Sequence, residues 1–192
     1  MPTSYKVLLA FMFVLLLNIS PAQAWDGKRQ GFLLGLGAGS GNVEYTNVQS
    51  AHLKDTNRSD KQGAVAFMPK VGYGLTDQLA FLYYRHPLNF KAENSLGKTE
   101  DLTACVELLG FNYYFSDSDS SLYIGAGSGN SYFFQGLDNQ NDTALKGTGS
   151  AYSIGYAFSA HYSIEFTSLT GTLDEKKGEF SGYGVTLNVL GY

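Results

Sequence analysis

The chain has 192 residues, a formal net charge of −4 and a single cysteine, Cys105. The charge argues against a broad nucleic-acid surface, and a lone cysteine excludes an intrachain disulfide. A content of 23 Gly, 14 Tyr and 13 Phe against 4 Pro suits many strands with aromatic belts and argues against a helical bundle.

The first element is a targeting segment. Lys6 gives a basic start, 7–17 is a nearly unbroken apolar run, and Pro21-Ala22-Gln23-Ala24 supplies a small-x-small cleavage pattern before Trp25. The run falls short of the ~20 residues of a membrane-spanning helix. No cysteine follows the cleavage position, so lipoprotein processing is not indicated. The expected organisation is a signal peptide at 1–24 and one β-barrel domain at 25–192.

Eight segments with period-2 alternation follow, at 31–45, 62–73, 78–89, 101–115, 121–134, 146–158, 161–171 and 180–192. In the first, Phe32, Leu34, Leu36 and Ala38 share one face, with Gly35, Gly37, Gly39 and Gly41 on the other. The second sets Val65, Phe67, Val71 and Tyr73 against Ala64, Ala66, Lys70 and Gly72, and the fifth sets Leu122, Ile124 and Ala126 against Tyr123, Gly125, Gly127 and Gly129. Links after segments two, four and six are short; those after one, three, five and seven are longer and polar. Alternating short turns and long loops is the pattern of an outer-membrane barrel. Tyr73, Tyr113, Tyr114, Phe115, Tyr156 and Phe158 cluster at the short turns, and Tyr45, Phe90, Phe133 and Phe134 at the long loops, which predicts two interfacial girdles. An open strand edge in lipid strands its backbone groups, so the eight strands are expected to close into an all-β, antiparallel transmembrane barrel.

Gly-Ala-Gly-Ser-Gly-Asn occurs twice, at 37–42 and 125–130, and the downstream halves also match, so the barrel reads as two four-strand units with strands one and five opposite each other. Glycine there makes room for inward groups such as Lys70, Tyr84 and Glu165, because an eight-stranded lumen is only just wide enough for side chains. As phosphate loops the same glycines fail: Gly35-x-Gly37-x-x-Ser40 lacks the third glycine and no helix pattern follows.

The ending Ala22-Gln23-Ala24, the turn Gly72-Tyr73-Gly74-Leu75-Thr76-Asp77, the strand end Gly110-Phe111-Asn112-Tyr113-Tyr114-Phe115 and the final Tyr192 resemble the OmpA/OmpX-type family of small eight-stranded outer-membrane proteins. The resemblance covers nearly all of 25–192 and implies an outer-membrane location in a Gram-negative bacterium. Family roles are structural, adhesive, protective, pore-forming or lipid-A-modifying. The resemblance also implies recognition by the barrel-assembly machinery, contact with outer-membrane lipid and lipopolysaccharide, and a monomer. With nothing after Tyr192, a periplasmic peptidoglycan-binding domain is not expected. Val185, Leu187 and Val189 lie out of phase with Tyr192, and a bulge near Gly191 would restore the phase.

His161, Ser163 and Glu165 share one face of segment seven, and His-x-Ser resembles the catalytic pair of outer-membrane lipid-A 3-O-deacylases, in which the serine attacks an ester. Ile164 stands where that family has Asn, and Glu175, castable as the acid, falls in a charged external loop. The competing expectation is a luminal polar network: a Lys70–Glu165 ion pair, with Arg85 and Glu107 either joining it or facing outward at the interface. His52, His86 and His161 lack metal-ligand spacing, Cys105 reads as a small strand residue, and no cofactor is expected. Lys54, Asp55, Arg58, Asp60 and Lys61, and Asp174, Glu175, Lys176, Lys177 and Glu179, give two external loops charges of both signs. The expected function is a non-enzymatic surface barrel with structural, protective or adhesive loops. The alternatives are a narrow pore for small or hydrophobic solutes and a lipid-A acyl hydrolase.

Overall fold

A computed structural model describes residues 28–48, 56–93, 99–135, 145–173 and 178–192. The predicted signal peptide and the segments 49–55, 94–98, 136–144 and 174–177 lie outside the described residues, as do the side chains of 47, 56–60 and 135. Eight strands follow in chain order: β1 (Gly31–Val48), β2 (Thr56–Gly74), β3 (Leu79–Glu93), β4 (Thr99–Tyr114), β5 (Ser121–Gln135), β6 (Leu145–Ala157), β7 (Tyr162–Leu173) and β8 (Gly178–Gly191). Each pairs antiparallel with the next, and β8 pairs with β1, closing the barrel.

The period-2 pattern sorts onto the two faces of this wall. Leu34, Leu36, Val65, Ile124, Ile154, Phe166 and Leu187 point outward and are 43–65% exposed. The glycine-rich face of β1 turns inward, ending in Val43 and Tyr45, both buried. β1 and β5 are diametrically opposite. On β5, a Cβ at Gly127 would lie 2.6 Å from the Tyr84 hydroxyl, so the glycine does make room for an inward aromatic from another strand.

The register fixes the tilt. Stepping across partners from Gly35 through Lys70, Tyr84, Leu108, Gly129, Gly149, Gly171 and Phe180 returns to β1 at Tyr45, ten residues beyond the start. With a rise of about 3.3 Å and a spacing of about 4.8 Å, that stagger over eight strands gives a tilt near 40°. Corrected for the tilt, Ser40, Arg85, Glu107, Ser128, Ser150 and Ser168 form an outward ring at one height. Below the ring the outer face is apolar over roughly 20 Å, close to the band of an outer-membrane barrel. Above it the outer face carries Asn42, Asn89, Thr103, Thr148, Thr170 and Thr172, joined across strands: Thr148 Oγ1 to Thr172 Oγ1 at 2.9 Å, Ser150 Oγ to Thr170 Oγ1 at 3.1 Å, and Thr103 donating to Asn89 Oδ1 at 2.8 Å. The strands therefore run several residues past the membrane.

That extension corrects two expectations. β2 begins at Thr56, not 62, and β1 and β3 run on to Val48 and Glu93, because hydrophobic contrast ends at the ring while pairing does not. The outer aromatics also differ. Tyr45, Phe90 and Phe133 point into the lumen above the ring, with centroids 5.5–6.1 Å apart, and Phe180 joins Phe133 at 6.3 Å. The outer girdle is instead formed lower down by Phe67, Tyr152, Phe166 and Tyr183, all exposed. The periplasmic girdle is Tyr73, Tyr113, Phe115, Tyr156 and Phe158, while Tyr114 turns inward.

β8 contains no bulge. Its pairing with β1 runs unbroken from Thr46↔Glu179 to Leu34↔Gly191, so Tyr192 simply falls in the inward phase and is buried at the periplasmic mouth. The irregular seam lies elsewhere. β2 and β3 pair from Ala64↔Phe90 to Ala66↔Leu88 and again from Lys70↔Tyr84, with no pairs between. In the same register Pro69 faces Arg85 and Pro87 faces Phe67. Both prolines lack an N–H, and both point the missing donor into this seam, since β1–β2 continues through Leu36↔Pro69 and β3–β4 through Pro87↔Cys105.

Candidate functional site: a filled lumen and a charged rim

The lumen is occupied at three heights. At the outer end sits the Tyr45, Phe90, Phe133 and Phe180 cluster. At mid-height, Lys70 Nζ lies 2.8 Å from Glu165 Oε2, with side-chain exposures of 6% and 3%. Tyr123 Oη donates to Glu165 Oε2 at 2.6 Å and Thr167 Oγ1 to Glu165 Oε1 at 3.0 Å, so each carboxylate oxygen is satisfied. A buried ion pair is tolerable only when its remaining lone pairs are bonded in this way. Tyr123 fits because β6 offers Gly155 beside it, where any Cβ would strike the phenol ring. His86 is also inward and fully buried, beside Gly184; neither ring nitrogen has a partner among the described residues.

At the periplasmic end Arg29, just before β1, is 3% exposed. Its guanidinium lies 4.2 Å over the Tyr114 ring and donates to the carbonyls of Asp77, Ser116, Ser118 and Asp119 at 2.8–3.3 Å. Its backbone N–H donates to Asp77 Oδ1 at 3.0 Å. One side chain thus ties the segment just before β1 to two periplasmic turns and stoppers the mouth. Nothing in the local sequence marks Arg29, because its partners are all distant turns.

The His161, Ser163 and Glu165 triplet is dispersed among structural contacts. His161 precedes β7; its Nδ1 lies 2.9 Å from the Leu190 carbonyl and its ring 5.3 Å from that of Tyr192. Ser163 Oγ is 3.3 Å from Tyr123 Oη, and Glu165 is committed to Lys70, Tyr123 and Thr167. Glu175, like Asp174, Lys176 and Lys177, lies outside the described residues, as do His52, Lys54 and Asp55 and the side chains of Arg58 and Asp60. Of the charged external residues that are described, Lys61 pairs with Glu44 at 3.6 Å on the outer surface.

Arg85 and Glu107 face outward, on the ring that bounds the apolar band. They are direct partners across β3 and β4. Glu107 accepts a hydrogen bond from the Tyr83 hydroxyl. Arg85 Nε donates to Cys105 Sγ at 3.3 Å, which explains how an outward cysteine comes to be fully buried. No carboxylate of the described residues lies within ion-pair distance of the Arg85 guanidinium.

No family model matches the chain, and no curated protein does. Solved structures do match. The chain is similar to Ail, the attachment invasion locus protein of Yersinia pestis, solved with the heparin analogue sucrose octasulfate, at a TM-score of 0.52 and 13% identity over 84% of this chain and 99% of that one. It is also similar to Neisserial surface protein A, at a TM-score of 0.53 and 14% identity over 83% and 97% of the two chains. Closed eight-strand topology, an apolar outer band bounded by a polar ring and these likenesses agree: the chain has the fold of the small eight-stranded outer-membrane β-barrels.

Proposed function

We propose that this protein is a non-enzymatic outer-membrane barrel, exported by a signal peptide at 1–24, that works through its outer end. The observation that carries this reading is the filled lumen beneath a wall that projects beyond the membrane. The aromatic cluster, the Lys70–Glu165–Tyr123 network and the Arg29 stopper occupy the lumen at three heights, which favours a binding role over transport. The hydroxyl-rich strand extensions instead form a pedestal for four loops, of which 174–177 is Asp-Glu-Lys-Lys and 49–55 ends in Lys54-Asp55 at the charged start of β2. Binding and shielding functions gather on loops held by such scaffolds.

Engagement of Glu165 by three side chains and of His161 by the terminal strand supports a structural role for the triplet that resembles a deacylase pair. The reading is tested by replacing the 49–55 and 174–177 segments with Gly-Ser linkers and measuring binding of cells to lipopolysaccharide-coated and host-matrix surfaces. Loss of binding, with silent planar-bilayer recordings and an unchanged lipid-A mass spectrum, is expected. Steady single-channel conductance from the intact barrel, or loss of an acyl chain from lipid A upon expression, would overturn it.

A further inference from the structure

Outside the wall, a groove of about 1100 Å³ runs over β8, β1, β2 and β3, floored by Leu34, Leu36, Pro69, Val71 and Leu187, with Arg85 at its upper end. Its foot is at Phe32 and Tyr192, so it spans roughly 16 Å along the barrel axis, from the rise and tilt given above. An apolar channel of that height in the lipid-facing wall suits an acyl chain lying along the barrel. Its upper end is polar in a specific way. Among the described residues no carboxylate lies within ion-pair distance of the Arg85 guanidinium, while neighbouring Glu107 accepts from the Tyr83 hydroxyl. The prolines of the β2–β3 seam leave the Phe67 and Arg85 carbonyls without the N–H groups that the ladder would supply.

We infer that this groove is a binding site for one phosphorylated glycolipid of the outer leaflet. The guanidinium pairs with the phosphate, in the charge-assisted geometry that arginine favours. Sugar hydroxyl or amide donors meet the seam carbonyls, and one acyl chain fills the groove below. Phosphatidylglycerol offers the phosphate with two hydroxyls on one flexible glycerol, whereas a sugar ring holds several hydroxyl and amide donors rigidly beside its phosphate, so the seam favours the sugar headgroup. The inference rests on the membrane placement of the apolar band and is independent of the loops.

The test extracts the protein from outer membranes in mild detergent and titrates it with bis-phosphorylated lipid A, lipid A stripped of phosphate, and phosphatidylglycerol. Native mass spectrometry then reads bound lipid per barrel. The intact protein is expected to hold a single phosphorylated lipid A, with occupancy falling about tenfold in Arg85→Gln, the loss of one charge-assisted contact. Pro87→Ala, which returns a donor to the seam, should weaken the adduct to a lesser degree. Equal occupancy in intact and Arg85→Gln protein, or equal retention of the dephosphorylated lipid or of phosphatidylglycerol, would overturn the site. If Arg85→Gln does not reach the folded band on unheated gels, the three lipids compared on the intact protein decide the question. A null result here leaves the loop-binding experiment untouched, and a failed loop experiment leaves this one untouched.

Discussion

Lys70 and Arg85 flank the same seam between β2 and β3, yet they face opposite sides of the wall and are managed differently. Inside, Lys70 and Glu165 neutralise each other at 2.8 Å, and Tyr123 and Thr167 complete the carboxylate. Outside, Arg85 and Glu107 are register partners but do not form a close ion pair; each bonds a neutral group instead. Lys70 and Glu165 are both buried, where a half-bonded charge is costly, so the protein completes the bonding itself. At the outer rim, water and headgroups complete the shell, and an arginine can stand with part of its guanidinium unclaimed.

Breaking the inner pair should have the largest effect. Glu165→Ala leaves a buried lysine unmatched, and a loss of about 3–5 kcal/mol is expected. It would be read as a sharp drop in the temperature at which unheated gel mobility converts to the unfolded band. Lys70→Met with Glu165→Leu should recover most of that loss; a double variant as weak as the single one would argue against pairing as the cause. Next comes Arg29→Ala, which removes four carbonyl contacts at once and should cost about 2 kcal/mol by the same measurement. His86→Leu moves in the opposite direction. It replaces an imidazole whose ring nitrogens have no partner among the described residues by a side chain that fills the same space beside Gly184, and a gain of about 1 kcal/mol is expected. On the outer rim, Arg85→Gln should alter stability by less than about 1 kcal/mol, the range for a lipid-facing charge at the interface. A loss as large as that of Glu165→Ala would erase the contrast between the two faces.

The smallest effect concerns pH. Burial raises the Tyr192 phenol above its ordinary value of 10.0, with Arg29 acting in the opposite sense. Because the folded value lies above the unfolded one, the stabilisation is full below pH 10 and fades as pH climbs through the raised value. Tyr192→Phe should therefore match the intact protein at neutral pH and resist unfolding slightly better at pH 11. Superimposable alkaline melting curves would count against burial of the phenol.

Most of the barrel was legible because its lower half obeys one rule strictly. On β1, β2 and β5 every second residue below the ring is apolar, so strand number, facing and the inward phase of Lys70 and Glu165 follow directly. Above the ring the outward residues become Ser, Thr and Asn, the contrast between faces disappears, and strand ends and aromatic directions could not be read from pattern. β3 and β4 were ambiguous for a related reason: Pro87, Asn89, Thr103 and Cys105 interrupt the alternation beside Arg85 and Glu107. The role of Arg29 was invisible, since its partners lie 48 to 90 residues away in turns that carry no pattern of their own. The seam is a third such case: each proline reads as a local irregularity, and only the register puts both against the same gap.

That gap has a mechanical consequence. A closed cylinder loaded sideways parts along its weakest line, and the usual suspect is the junction where the last strand meets the first. Here that junction is fully laddered, whereas the line between β2 and β3 has lost its bonds over three successive positions near the outer membrane surface. Lateral tension in the bilayer, or a probe pulling on the outer end, should therefore unzip the cylinder between β2 and β3 and leave β1 and β8 locked together.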